Sequence, residues 1–120
     1  MKPFILIIDD DQRILRALRL VLRDEYEVLL ASCLSEARTQ LTSARVQIVL
    51  CDQRMPDGLG SDFLSLVANE YPEMLRLLHS GSPPDNIDQL LASKAIHGLI
   101  VKPASIDDLR QRLEDTRKRT

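Results

Sequence analysis

Six consecutive residues, Val46-Gln47-Ile48-Val49-Leu50-Cys51, are apolar at all positions but one. A short run rich in β-branched residues reads as a strand, and the lack of polar alternation means that both of its faces must be covered. Strands of that kind belong to parallel sheets, whose crossover helices pack on either side. The rest of the chain supplies the partners. Strand-like runs recur at 4–8, 27–31, 74–79 and 98–101, and a helix-like pattern follows each strand. In the first pattern Ile14, Leu18, Val21 and Leu22 recur at i, i+4, i+7 and i+8, giving one apolar face. Later patterns pair Ala37 with Leu41, Phe63 with Leu66 and Val67, Ile87 with Leu90 and Leu91, and Ile106 with Leu109 and Leu113. Asp11 suits the N-cap of the first helix, and Ser105-Ile106-Asp107-Asp108 resembles a capping box opening the last. Leu75-Arg76-Leu77-Leu78 also fits a helix. Strands separated by helices predict an α/β fold of βαβ units, with right-handed crossovers and helices on both faces of one parallel sheet.

A length of 120 residues suits one domain with one core, and 44% apolar with only 3% aromatic residues makes that core aliphatic. A net charge of −2 argues against whole-domain binding to nucleic acid or to an acidic membrane surface. No apolar stretch approaches the roughly 20 residues of a membrane span. Met1-Lys2-Pro3 runs straight into the first strand and does not read as a removable signal, so a cytoplasmic chain is expected. Arg117-Lys118-Arg119 reads as a solvated helix end or the start of a linker. Cys33 and Cys51 form no CxxC pair; Cys51 reads as a small buried hydrophobe. His79 and His97 lack the spacing of zinc ligands.

Ligands of a doubly wound sheet bind beyond the carboxyl ends of its strands, near a topological switch point. On that edge Asp9 and Asp10 end strand one, Asp52 ends strand three, Ser80 ends strand four and Lys102 ends strand five. Two carboxylates about 4 Å apart repel by on the order of 1 kcal/mol in water and roughly 4 at an effective dielectric of ~20. A hard divalent cation is the simplest compensation, and Mg²⁺ binds through one or two carboxylates while keeping several waters. Asp10 and Asp52 suit direct coordination, Asp9 coordination directly or through water, and a backbone carbonyl can complete the protein's share. A carboxylate is also a covalent nucleophile that forms an aspartyl phosphate. Phosphoryl transfer asks mainly for positioning and charge neutralisation. Lys102 supplies a mobile point charge and Ser80 a hydroxyl donor. Taken singly, each has an ordinary reading as cap, turn or surface residue; taken together, they compose a site.

The ordered set Ile7-Ile8-Asp9-Asp10, Asp52-Gln53-Arg54-Met55-Pro56-Asp57-Gly58, Ser80-Gly81 and Lys102-Pro103 resembles the receiver domain of two-component response regulators over nearly the whole length, residues 1–120. The resemblance implies a flavodoxin-like doubly wound sandwich with strand order 2-1-3-4-5. It makes Asp52 the phosphorylated residue, Asp9 and Asp10 the acidic pair that holds Mg²⁺, and Arg54 the donor of a backbone carbonyl to the metal. Ser80 takes the Ser/Thr position that contacts the phosphoryl group, Lys102 that of the family lysine, and the bond before Pro103 would be cis. The implied phosphodonor is a sensor histidine kinase or a phosphotransfer protein, with small acyl phosphates as substitutes. The domain would be a signalling switch acting on an output domain or downstream protein, not an enzyme with an outside substrate. The Asp52-Gln53-Arg54-Met55-Pro56 string is similar to that of receivers joined to HD-type phosphodiesterase or AAA-type transcription-activator modules. DNA binding would then belong to another domain, and the last two helices offer a surface for a homodimer.

Two departures stand out. Leu99, three positions before Lys102, replaces the Tyr or Phe whose inward swing accompanies activation in many receivers, and Ser80 lacks the methyl of the commoner Thr. Two other functions compete with this one. Leu99 suits an interaction module that works without phosphorylation, but the intact Asp9, Asp10, Asp52 and Lys102 speak against it. A flavin or nucleotide binder, or a small phosphohydrolase, would want backbone phosphate donors after strand one, where Asp9-Asp10-Asp11 instead repel phosphate.

Overall fold

Each strand-like run forms a strand in the computed structural model, which describes residues 2–119. Met1, part of the N-terminal reading, and the side chain of Arg119 in the basic tail lie outside the described residues. In chain order the elements are β1 (Phe4–Ile8), α1 (Gln12–Leu22), β2 (Glu27–Ala31), α2 (Leu34–Ser43), β3 (Ile48–Cys51), the short strands β4 (Arg54–Met55) and β5 (Gly58–Leu59), α3 (Gly60–Glu70), β6 (Leu75–Ser80), α4 (Ile87–Ala92), β7 (Gly98–Val101) and α5 (Ile106–Arg119). The main sheet is parallel throughout and runs β2-β1-β3-β6-β7, which is the order 2-1-3-4-5 for its five strands. β4 and β5 form a separate antiparallel hairpin, too short for any apolar period to announce it. The segment at 75–78 that also fitted a helix is strand, paired Leu77 to Leu50 and Leu78 to Cys51 on one side and to Gly98 and Leu99 on the other.

Alternate strand residues feed two aliphatic layers. Ile5, Ile7, Ile48, Leu50, Leu77 and Ile100 pack with Leu15 and Leu22 of α1 and Leu109 and Leu113 of α5. Leu6, Ile8, Val49, Cys51 and Leu78 pack with Ala37 and Leu41 of α2, Phe63, Leu64 and Val67 of α3 and Leu90 of α4. Burying one such Leu or Ile side chain contributes about 1.5–3 kcal/mol, so these two layers supply the main driving force for the fold. Every residue of β3 is buried, as its unbroken apolar run requires.

The helix faces differ in part from the predicted ones. Leu66, Leu91 and Ile106 are among the exposed large hydrophobics, and Leu15 and Leu64 take core places instead. At 100° per residue, Leu66 lies well off the arc shared by Phe63, Leu64 and Val67, so the sheet meets α3 without it. The predicted caps form: the Asp11 side chain accepts from the Arg13 N–H at 2.9 Å, and Ser105 Oγ accepts from the Asp108 N–H at 3.0 Å. Among the described residues no helix is long and apolar enough to cross a membrane.

At the amino edge of the sheet, Arg76 is buried at 3% exposure. Its guanidinium donates to the carbonyls of Met74 at 2.6 Å, Lys94 at 2.7 Å, Ala95 at 3.0 Å, Tyr71 at 3.3 Å and Pro72 at 3.4 Å. The Arg76 N–H donates to His97 Nδ1 at 3.0 Å, and the His97 N–H returns a bond to the Arg76 carbonyl at 2.7 Å. One buried cation thereby ties the loops that enter β6 and β7. Lys94, at φ 63°, turns the chain there.

Candidate functional site

Backbone hydrogen bonds across the strand ends place the site residues. The Asp9 N–H donates to the Ala31 carbonyl of β2 at 3.1 Å, the Asp52 N–H to Ile8 of β1 at 2.9 Å, and the Lys102 N–H to Ser80 of β6 at 3.0 Å. Each residue just past its own strand is pinned to the last residue of a neighbour, so its side chain emerges at the carboxyl edge. One carboxylate oxygen from each of Asp9, Asp10 and Asp52 falls within 4.8 Å of the others. Asp9 is buried at 2% exposure, Asp52 is half-buried and Asp10 is exposed.

Lys102 closes the group. Its Nζ lies 2.8 Å from Asp9 Oδ2 and 3.5 Å from Asp52 Oδ2. The remaining oxygens are held by main chain, with Asp9 Oδ1 accepting from the Asp11 N–H at 2.9 Å and Asp52 Oδ1 from the Gln53 N–H at 2.8 Å. Burial raises the Asp52 carboxyl above its usual range; Lys102 opposes this and Asp9 reinforces it. Burial works against the Lys102 charge too, but its bond to Asp9 and the field of both carboxylates outweigh it, so its pKa lies above the ordinary lysine value. Two of the three carboxylates, Asp9 and Asp52, thus share one ammonium. The donors are all hard oxygens and charge remains uncompensated, which is the chemistry that Mg²⁺ suits.

The other expected residues sit around this centre. Arg54 opens the β4–β5 hairpin with its side chain exposed. Ser80, buried at the end of β6, turns back on its own loop: Oγ donates to the Ser82 carbonyl at 3.0 Å and accepts from the Ser82 N–H at 3.2 Å. The Lys102–Pro103 bond is cis. Leu99 is half-buried and packs against the core layer of α2, α3 and α4. Cys51 is buried and its thiol is pushed up strongly by that burial, which keeps it protonated. Cys33 and Cys51 are both free thiols. His79 is buried next to Ser80; burial, helped by Lys102, lowers its pKa to about 4 and keeps it neutral.

Four residues that periodicity does not single out build the loop that follows Asp52. A Cβ on Gly60 would lie 2.1 Å from the Asp52 carbonyl oxygen and 3.1 Å from Cys51 Sγ, so only glycine lets α3 start against Asp52. Gln53 Nε2 donates to Ser61 Oγ at 2.9 Å, and Gln53 Oε1 accepts from the Ser61 N–H at 2.9 Å. Asp57 reaches across to α2, where its carboxylate accepts from the N–H groups of Leu34 at 2.9 Å and Ser35 at 3.0 Å. Two closely spaced glycines between a strand and a helix were the available sequence signal for this region.

The response regulator receiver domain family matches residues 5–114. The hydrogenase transcriptional regulatory protein HoxA of Cupriavidus necator is 37% identical over 115 residues, covering 92% of this chain and 24% of that protein. HoxA of Bradyrhizobium diazoefficiens is 39% identical over 106 residues, covering 88% of this chain and 22% of that protein. The chain therefore spans under a quarter of the length of these curated relatives. Among solved structures, the signal receiver domain of an HD domain-containing protein from Pseudomonas fluorescens aligns with a TM-score of 0.85 at 26% identity, over 98% of this chain and 99% of that one. A CheY-like receiver domain protein from Methanospirillum hungatei shares the fold, with a TM-score of 0.87 at 24% identity over 100% of both chains. With the family matched from Ile5 to Glu114 and the five-stranded order in place, the chain belongs to the response regulator receiver domains, the signalling switches of two-component systems.

Proposed function

We propose that this receiver accepts a phosphoryl group on Asp52 from a phosphohistidine of a sensor histidine kinase or phosphotransfer protein. The observation that carries the reading is the position of Asp52 Oδ2, 3.5 Å from Lys102 Nζ, in a carboxylate trio spanning 4.8 Å. Asp9, Asp10, Asp52 and the backbone carbonyl of Arg54 would hold Mg²⁺, which when bound would neutralise charge on the phosphoryl oxygens. Asp52 Oδ1 is engaged by the Gln53 N–H, which leaves Oδ2 as the attacking atom. The new O–P bond forms as the P–N bond to histidine breaks, and the imidazole leaves. Lys102 then exchanges part of its contact with Asp9 for the phosphoryl oxygens, and the Ser80 hydroxyl gives up Ser82 to donate to them. Hydrolysis reverses the charge flow: water attacks phosphorus and Asp52 leaves as carboxylate.

Because Ser80 and Lys102 end adjacent strands, their movement shifts the β6–α4 and β7–α5 loops together. With Leu99 at the usual aromatic position, these loops carry the readout to an output domain or downstream protein in the cytoplasm. Relatives named as transcriptional regulatory proteins, and a structural neighbour from an HD domain-containing protein, support an attached output.

The test is intact mass after incubation with acetyl phosphate and Mg²⁺. One added phosphoryl group is expected, absent from Asp52→Asn and from a metal-free control. No mass gain together with no binding of beryllofluoride would overturn the reading in favour of an interaction module.

A further inference from the structure

The loop after Asp52 is braced by one residue that makes four hydrogen bonds. Gln53 donates its N–H to Asp52 Oδ1 at 2.8 Å, while its carbonyl accepts from the Gly60 N–H at 2.8 Å. Its side-chain amide grips both groups of Ser61 at 2.9 Å each. Gln53 is buried at 7% and Ser61 at 5%, so these bonds have no competing solvent. Leu59, the N-cap residue of α3, offers no side-chain cap, and the Ser61 N–H is one of the donors that the first turn leaves open. Gln53 fills that role from the acceptor loop itself.

The geometry points to Gln53 as a positioning residue for phosphorylation, acting through Ser61. Rotating the Asp52 carboxylate away from Lys102 would cost its Oδ1 bond to the Gln53 N–H. That N–H is kept from following the carboxylate by the bonds that fix Gln53, its carbonyl to Gly60 and its amide to Ser61. Gly60, pressed against the Asp52 carbonyl, closes the other side. The first turn of α3 therefore dictates which carboxylate oxygen faces the incoming phosphorus. This inference rests on Asp52 being the acceptor.

The experiment measures the rate of phosphoryl gain from acetyl phosphate with Mg²⁺, below the melting temperature of every variant. Gln53→Met keeps the volume and removes both amide bonds; it is expected to slow the reaction roughly tenfold, the scale set by a misplacement of less than 1 Å. Val67→Ala, which weakens the packing of α3 elsewhere, should lose stability and keep the wild-type rate. Ser61→Ala should slow the reaction, Ser61→Thr should recover most of that loss, and the Gln53→Met/Ser61→Ala double variant should be no slower than Gln53→Met alone. A wild-type rate in folded Gln53→Met, or an equal slowing in Val67→Ala, overturns the inference. Should Gln53→Met fail to fold, Ser61→Ala against Ser61→Thr decides it, and equal rates there overturn it. A wild-type protein that gains no phosphoryl group and binds no beryllofluoride would instead sink the acceptor reading, and this inference with it.

Discussion

At one edge of the sheet Arg76 sets a guanidinium among five backbone carbonyls; at the other, Asp9, Asp10 and Asp52 cluster three carboxylates, two of which meet the ammonium of Lys102. Both edges bury charge and both use it to join loops. At the amino edge the compensation is internal: the acceptors are main-chain dipoles that cannot leave, and only one state satisfies them. At the carboxyl edge the protein's own groups stop short of neutrality, so the remainder must come from outside. Buried charge thus serves as a fastener where its partners are fixed, and where they are incomplete it leaves room for the cation and phosphoryl group of the proposed function.

The contrast can be broken by substitution. Arg76→Met should cost about 3–5 kcal/mol of stability, since the carbonyls around it lose their donors in a buried setting. Urea unfolding with and without Mg²⁺ should give the same loss, because this edge has no part in metal binding. Saturating Mg²⁺ should act only at the other edge. At a free concentration of a hundred times Kd it should raise stability by about 2.7 kcal/mol, and a melt of Asp10→Asn should show no such gain. A gain that survives in Asp10→Asn would misplace the metal.

A smaller effect concerns His79, which burial and Lys102 keep neutral with a pKa of about 4. As pH falls below the ordinary histidine value of 6.5, the unfolded chain takes up a proton that the folded one refuses. The stability from the neutral ring is complete above pH 6.5 and lost as pH falls toward 4, by roughly 2 kcal/mol once partial solvent access is allowed for. His79→Leu should flatten the stability profile across this window. The smallest effect is that of Asp10→Asn without metal: removing an exposed like charge beside Asp9 and Asp52 should raise stability by about 1 kcal/mol or less.

Legibility followed the range of the interactions. β3 could be read because full burial leaves a run without polar interruption, and the carboxyl-edge residues could be read because each sits one or two positions past such a run. The braces could not. Asp57 caps a helix 23 positions earlier in the chain, and Gln53 meets Ser61 only after the hairpin has folded back. Neither contact leaves a period in the sequence. Arg76 was misleading for another reason. Its charge beside leucines imitates an amphipathic helix, whereas its carbonyl partners come from two loops that only the finished sheet brings together. Leu66 and Ile106 show the limit of spacing within a helix, because a pattern of apolar residues does not say where the sheet ends its contact.

The ion pair between Lys102 and Asp9 joins positions 93 residues apart. In kinetic terms it is a closure of high contact order, made only once β7 has docked on β6 at the sheet's rim. Within the domain the three carboxylates precede Lys102 by 50 residues or more, and the ammonium reaches them only through the β6–β7 pairing. Phosphorylation at Asp52, as proposed, would then report a domain whose β7 edge has closed.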